Sequence, residues 1–261
     1  MKICFLGAGN IAQAIISGLL KVNVSPTDIV CIERNLEKIA LLESQQLSVQ
    51  PLASVSDNMF DLIVLAVKPK DAIAAAQDIM RIAPHTPILT LVAGIEIAQY
   101  PNPQLVIRAM PNTASTYNKG ITALYSDNQM LHAFQQSVEL LEKVGHVMIM
   151  KKEDDLHVFT SIIGSGQAFL FRILNIYLNE LKILNKGNDE ESIAMFKDFV
   201  GSLGDLFNQD RDFETLINKI KSPGGTTQAG LESLEKNNIE SVFKEAFKAA
   251  EHRSIEINNE N

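Results

Sequence analysis

Residues 2–12 of the chain, KICFLGAGNIA, carry the pattern that most strongly indicates the fold. The apolar run over residues 2–6 predicts a buried strand, and apolar residues at helical spacing follow it. Between the two stands G-x-G-x-x-A, a form that the dinucleotide-binding fingerprint allows. In that interpretation Gly7 makes the turn, Gly9 lets a pyrophosphate approach the backbone, and Ala12 keeps helix and strand close. A glycine-rich turn without a ligand is the alternative.

Strand and helix patterns alternate from this stretch to about residue 150. Near-continuous apolar runs over residues 61–67, 87–94 and 105–109 are typical of parallel strands that are buried on both faces. The alternation predicts a Rossmann-type, doubly wound α/β sheet over residues 1–150. Strand patterns then stop, and the chain predicts an all-helical domain over residues 151–261.

The end of the second predicted strand carries two conflicting signals about the cofactor. This is where the adenosine ribose is normally bound. Glu33 favours a free 2′-hydroxyl and therefore NAD, whereas Arg34 favours a 2′-phosphate and therefore NADP. We expect NADP to be favoured, because arginine can both stack and pair with phosphate while Glu33 can swing to solvent. A solvated turn is the alternative for the pair.

Two further loops are predicted to line the cofactor, because the carboxyl ends of parallel strands face the ligand crevice. The run over residues 61–67 passes into Lys68 and Pro69 at such an end. Asn112 follows a later strand and is expected near the nicotinamide, with an ordinary polar loop as the alternative. Besides Glu33 and Arg34, the predicted cofactor residues are Gly7, Gly9, Asn10, Ile11, Ala12, Ala66, Val67, Lys68, Pro69 and Asn112.

A second motif lies near the end of the chain, in residues 221–230, KSPGGTTQAG. A proline and two glycines predict a tight turn, two hydroxyl side chains follow, and a helical pattern begins after them. Consecutive N–H groups at a turn that leads into a helix form a concave anion site. The stretch therefore predicts a seat for a small carboxylate substrate with a hydroxyl beside it. An ordinary capped turn is the alternative.

Composition excludes several classes of function. The 261 residues carry a formal net charge of −8 and no basic run, which argues against nonspecific binding to nucleic acid. Cys4 and Cys31 lie inside apolar runs, which favours buried reduced thiols and a cytoplasmic location. Neither cysteine has a metal-like spacing to a histidine, so no metal is expected. No apolar segment looks long enough to span a membrane.

Taken together, these residues resemble the pyrroline-5-carboxylate reductase family over nearly the whole chain. The Ser-Pro-Gly-Gly-Thr-Thr block is the diagnostic part of the resemblance. The motifs that carry it are residues 7–12, 66–69, 110–113, 164–166, 222–230 and the closing Glu-His-Arg-Ser of residues 251–254. The chain departs from the family pattern at Gln167 and Ala114, where proline is usual, and at Ala53, near a frequent asparagine.

The resemblance implies reduction of 1-pyrroline-5-carboxylate, a cyclic imine carboxylate, to L-proline by hydride transfer from NADPH or NADH. It implies that Thr227 hydrogen-bonds the ring nitrogen and that Asp210 supports Thr227. It places the substrate carboxylate on one side chain and three backbone positions: Ser222, Gly224, Gly225 and Thr226. It also implies a homodimer through the C-terminal helical domain, with a larger ring as a further possibility.

Two other functions share parts of this pattern. β-Hydroxyacid dehydrogenases carry a similar Gly-Ser-Gly-Gln run, here residues 164–167, but they need a lysine a few residues later to move a proton. Leu170 stands at that position, with Arg172 nearby, which disfavours alcohol oxidation. A non-catalytic dinucleotide-sensing protein could keep the same fold, but the intact Thr226 and Thr227 argue against it.

Overall fold

The computed structural model describes residues 1–57 and 59–260. The strands of these residues are β1 (Ile3–Leu6), β2 (Ile29–Ile32), β3 (Ser48–Val49), β4 (Leu62–Leu65), β5 (Ile88–Thr90), β6 (Val106–Met110), β7 (Gly120–Tyr125) and β8 (Gly145–Ile149). They form one sheet with the order β3-β2-β1-β4-β5-β6-β7-β8. Every neighbouring pair is parallel except β6 and β7, which are antiparallel. The predicted doubly wound sheet is confirmed.

Helices cover the faces of the sheet and make up most of the C-terminal part. They are α1 (Asn10–Lys21), α2 (Leu36–Ser44), α3 (Pro69–Ile82), α4 (His132–Glu142), α5 (Asp155–Phe159), α6 (Gly166–Leu184), α7 (Asp189–Gln209), α8 (Phe213–Ile220), α9 (Thr226–Lys236) and α10 (Ile239–Glu260). A π-helical turn, Thr160–Ser165, joins α5 to α6. The helical character predicted after residue 150 is confirmed.

The sheet is sandwiched between two apolar layers. Phe5 and Phe134 belong to one layer, and Ile79 on α3 belongs to the other. Cys4 and Cys31 lie in opposite layers as free buried thiols, and burial raises the pKa of each to about 12. The near-continuous apolar runs of the sequence follow from this double coverage, because a parallel sheet presents neither face to water.

The chain divides into two compact units, residues 1–165 with 249–261 and residues 166–248. The sequence predicted a boundary after residue 150. In the structure the sheet unit continues to residue 165, and it also includes the end of α10. The end of α10 belongs to the sheet unit because it contacts residues near the end of that unit. The Nδ1 atom of buried His157 lies 2.8 Å from the hydroxyl oxygen of buried Ser254, which ties the end of the chain to the sheet unit.

One helical stretch, Asp155–Leu184, is long and apolar enough by composition to cross a membrane. Its mean hydropathy is 1.2, and 11% of the tested window is buried. The expectation that no segment reaches that length was wrong. The test uses length and composition only, and a core helix of a soluble protein passes it as well, so the finding is weak evidence for a membrane span.

The buried His157 predicts that acid destabilises the fold. Burial, with help from Arg108, lowers its pKa below the ordinary 6.5, while Asp154, Glu96 and Glu153 oppose that shift. The unfolded chain therefore binds this proton more readily, and the stabilisation present above about pH 6.5 is lost as the pH falls below it. We expect Tm to fall between about pH 7 and pH 5.

Thermal unfolding monitored by circular dichroism across this pH range measures the effect. His157→Asn, which does not titrate there, should show a smaller fall than the wild-type chain. Equal falls in both proteins would assign the acid sensitivity to other groups.

Candidate active site

The turn between β1 and α1 requires glycine at its first position. Gly7 has φ +93°, a conformation that side chains with a Cβ rarely adopt. Its N–H donates to the carbonyl oxygen of Ile32 at 2.9 Å, which links the turn to β2. A Cβ on Gly7 would lie 2.7 Å from the carbonyl oxygen of Ala66, at the end of β4. The chain can therefore pass between the neighbouring strands only at a residue without a side chain.

Gly9 caps α1 and leaves its N-terminus open. It has extended backbone angles, and no side chain caps the helix. The N–H groups of the first turn, which includes Asn10 and Ile11, have no acceptor within the helix and carry the positive end of its dipole. Ala12 is fully buried and packs the helix onto the sheet. Backbone donors at an open helix N-terminus fit the pyrophosphate of a dinucleotide.

Glu33 builds the turn that follows β2. Its carboxylate accepts hydrogen bonds from the backbone N–H groups of Ala8 (2.8 Å), Arg34 (2.7 Å) and Asn35 (3.0 Å), and Lys38 Nζ lies 3.8 Å away. Burial alone would raise the pKa of the carboxyl, but the three amides together lower it. The side chain is 12% exposed. The expectation that Glu33 can swing to solvent was therefore wrong.

The loop after β4 lies beside the glycine turn. The Ala66 N–H continues the sheet by donating to the carbonyl oxygen of Leu6 at 2.9 Å, Lys68 caps α3, and Pro69 is its first residue. Because β1 lies between β2 and β4, this edge is the topological switch point where doubly wound sheets bind ligands. The structure thus brings the predicted cofactor residues of the glycine turn and of the loop after β4 to one place.

Asn112 has a structural role that the sequence did not predict. Its Oδ1 atom accepts the backbone N–H of Ile121 at 3.0 Å and so ties the loop after β6 to the start of β7. The residue is half-buried. Its predicted contact with the cofactor stays a prediction, and its oxygen is engaged inside the protein.

The second motif forms the predicted turn in front of α9. Gly224 has φ +71°. Its N–H donates to Oε1 of Gln228 at 2.9 Å, and the N–H of Gly225 donates to the carbonyl oxygen of Ser222 at 3.0 Å. Two of the three amides predicted to hold a carboxylate therefore donate within the turn. The third belongs to Thr226, the first residue of α9.

Gln228 was missed by the sequence reasoning. It stands four residues after Gly224 in the first turn of α9, a spacing that lets a side chain reach back over the helix N-terminus, and this was the available signal. Thr227 lies beside it and is half-buried. Asp210 accepts hydrogen bonds from Lys219 Nζ at 2.9 Å and from the N–H of Asp212 at 3.5 Å, so its described partners lie on α8 and at its N-cap. Its predicted support of Thr227 stays a prediction.

Within residues 1–57 and 59–260, no group of three or more His, Cys, Asp or Glu side chains could hold a metal ion. The donors that the structure assembles are backbone amides and hydroxyls. These suit phosphate and carboxylate groups rather than divalent cations, which prefer clustered oxygen, nitrogen or sulfur ligands from side chains.

A mostly parallel sheet whose switch point carries a glycine turn and an open helix N-terminus defines a dinucleotide-binding protein of the Rossmann class. Comparison with known families agrees with this class. Residues 2–94 match the family described as NADP oxidoreductase coenzyme F420-dependent, and residues 153–257 match pyrroline-5-carboxylate reductase dimerisation.

The chain is 33% identical to pyrroline-5-carboxylate reductase 1 of Bacillus spizizenii, over 99% of this chain and 90% of that protein. Its structure is similar to a pyrroline-5-carboxylate reductase from Coxiella burnetii, with a TM-score of 0.84, 25% identity and 98% of both chains covered. It is also similar to the Plasmodium falciparum pyrroline carboxylate reductase with NADP bound (TM-score 0.83, 22% identity, 99% and 98% covered). The chain belongs to the pyrroline-5-carboxylate reductase family.

Replacement of Gly7 by alanine should weaken cofactor binding. The added Cβ would meet the Ala66 carbonyl at 2.7 Å, and the positive φ is strained for alanine. We expect the Kd for NADPH, measured by the fluorescence of the bound cofactor, to rise by at least about tenfold, as for a displaced anion-binding backbone.

Gly204→Ala on α7 is the matched control, since nothing lies within 4 Å of that position. It should bind NADPH as the wild-type chain does. Normal NADPH affinity in folded Gly7→Ala would contradict the assignment of the cofactor to this turn.

Proposed function

We propose that the chain reduces 1-pyrroline-5-carboxylate to L-proline with a reduced nicotinamide dinucleotide, the last step of proline synthesis. The observation that carries the proposal is the intact turn over residues 222–227 at the N-terminus of α9, in a chain that is 33% identical over 99% of its length to a relative of that name. The β-hydroxyacid dehydrogenase alternative is not favoured, because Leu170 stands where those enzymes need a lysine.

In the proposed reaction the main task of the protein is to position the substrate and the dinucleotide relative to each other. When bound, the dinucleotide supplies the hydride, which adds to the carbon of the C=N bond and leaves an amine. A protonated iminium substrate needs only a hydrogen-bond acceptor at its nitrogen, and the hydroxyl oxygen of Thr227 is proposed for that role. No acidic or basic side chain has to move a proton in this scheme.

The substrate carboxylate is proposed to bind at the start of α9. The hydroxyl of Ser222 and the N–H of Thr226 are the donors proposed first, at the positive end of the helix dipole. The N–H of Gly224 becomes available when the Gln228 oxygen moves aside. The parts of Gly225 and Asp210 in substrate binding stay predictions.

Thr227→Ala should slow the reaction. Loss of one positioned hydrogen-bonding group typically costs a factor on the order of ten to a thousand in rate, so we expect kcat/KM for pyrroline-5-carboxylate to fall by that amount with little change in cofactor affinity. Ser233→Ala is the matched control, because it removes an exposed hydroxyl further along the same helix, and it should leave kcat/KM unchanged. An unchanged rate in Thr227→Ala would remove Thr227 from the mechanism.

The proposed preference for NADPH rests on Arg34. Its side chain is exposed at the end of β2, where a 2′-phosphate would lie, and an arginine can pair with phosphate in a bidentate manner. The fixed carboxylate of Glu33 acts in the opposite sense, because it adds negative charge at the same turn. The proposed preference for NADPH over NADH therefore depends on whether the attraction of Arg34 for the 2′-phosphate exceeds the repulsion by Glu33.

Steady-state loss of reduced-nicotinamide absorbance on adding pyrroline-5-carboxylate, with proline identified as the product, tests both the function and the preference. We expect turnover with either cofactor and a higher kcat/KM with NADPH. Arg34→Ala should lower that value for NADPH by about tenfold, the loss of a charged phosphate contact, and change the value for NADH little. A higher value with NADH would make Glu33 the effective determinant, and no turnover with either cofactor would reject the reductase.

The helical part is proposed to form a homodimer, in line with the dimerisation family that residues 153–257 match. Large apolar side chains of α6 and α7 are exposed in the single chain, and they include Phe171, Ile176, Tyr177, Phe199 and Leu203. An apolar groove of about 320 Å³ lies between these helices. A second copy covering these faces would bury them. Assembly into a larger ring, a cytoplasmic location, and the lack of nucleic-acid and membrane partners stay predictions.

A further inference from the structure

The end of α10 is anchored inside the sheet unit by a buried polar pair. Ser254 belongs to the closing Glu-His-Arg-Ser motif, to which the proposed reaction gives no role. It and His157 are each 5% exposed, and the Ser254 hydroxyl lies 2.8 Å from the His157 Nδ1 atom. A buried hydrogen bond of this kind specifies one docked position, because an unpaired partner would carry a desolvation cost.

One turn further along, α10 lies directly on the backbone of Gly94. A Cβ on Gly94 would be 2.5 Å from Cγ2 and 2.8 Å from Cβ of Ile257, and 3.2 Å from the carbonyl oxygen of Ser254. Gly94 also has φ +70° and is buried. Because Ser254 and Ile257 are three residues apart, they share one face of the helix. The helix therefore contacts this glycine at two points.

Gly94 is at the tip of the loop that leaves β5 on the ligand side of the sheet. The loop starts beside β4, where the N–H of Leu91 donates to the carbonyl oxygen of Leu65 at 2.9 Å. Its far end is held at Ile97, whose N–H donates at 2.7 Å to Glu153, a residue already paired with buried Arg108. Both ends of the loop thus have their own anchors, and α10 holds the tip between them.

We propose that Ser254 and His157 are positioning residues, which hold α10 on Gly94 and so fix the loop after β5 where the nicotinamide half of the cofactor binds. The proposal rests on the proposed reductase function. The glycine turn and Glu33, which face the other half of the cofactor, belong to β1 and β2. Loosening the β5 loop should therefore disturb hydride-transfer geometry more than cofactor affinity, since small misplacements can cost large factors in rate.

The test compares Ser254→Ala with wild type in the full-length protein. Three quantities are measured: amide hydrogen exchange of residues 91–96 by mass spectrometry, the Kd for NADPH, and kcat for pyrroline-5-carboxylate. We expect faster exchange in residues 91–96, a kcat lower by about tenfold, and a Kd within about twofold of wild type. Ser241→Ala, an exposed serine on the same helix, is the matched control and should change none of the three.

Ile257→Ala serves as a second variant in case Ser254→Ala does not fold, because it removes the contact on Gly94 without leaving a polar group unpaired. Unchanged hydrogen exchange in residues 91–96 overturns the proposal. Faster exchange with an unchanged kcat also overturns it, because that result is expected if α10 only stabilises the fold. A wild-type chain that does not turn over pyrroline-5-carboxylate rejects the reductase function instead. The exchange comparison then decides by itself whether α10 holds the loop.

Discussion

The sheet unit depends on one steric constraint, the passage of the chain at Gly7 beneath the carbonyl oxygen of Ala66. β1 and β4 are neighbours in a parallel sheet, so the turn out of β1 runs against the end of β4. A residue without a Cβ, at φ +93°, allows α1 to start at once and leave its N-terminus open at the switch point. The N–H of Gly7 then connects the turn to β2 through Ile32. The link between β1 and β2 and the open start of α1 are consequences of the same turn.

Glu33 shows how a side chain can serve the fold and bear on specificity at once. Its carboxylate is held by three backbone amides, so it fixes the turn after β2 and connects that turn to the glycine loop at Ala8. The same hydrogen bonds keep it ionised at the position where the adenosine ribose is read. The exposed Arg34 next to it carries the opposite charge. A fixed carboxylate and an exposed guanidinium thus stand on adjacent residues, and the proposed cofactor preference depends on their opposite charges.

The helical part differs from the sheet unit, because a single chain leaves large apolar surfaces of its helices exposed. Large apolar side chains of α6 and α7 are exposed, and the stretch that contains α6 has the composition of a membrane span. A dimerisation surface accounts for both features, since a helix that is covered by a second copy needs apolar residues on more than one face. The turn before α9 differs from these surfaces, because the amides of Gly224 and Gly225 donate to groups within the motif.

Features that depend on neighbouring residues could be predicted from the sequence: the buried strands, the glycine turn, the turn and helix start at residues 222–226, and the change to helices after residue 150. Spacing and backbone freedom are local properties, so they can be read along the chain. The return of α10 to the sheet unit, the fixed position of Glu33 and the pairing of Asp210 with Lys219 became known only from the three-dimensional structure. These depend on where side chains meet in three dimensions, and for the return of α10 on contacts between residues about a hundred positions apart, which no local pattern encodes.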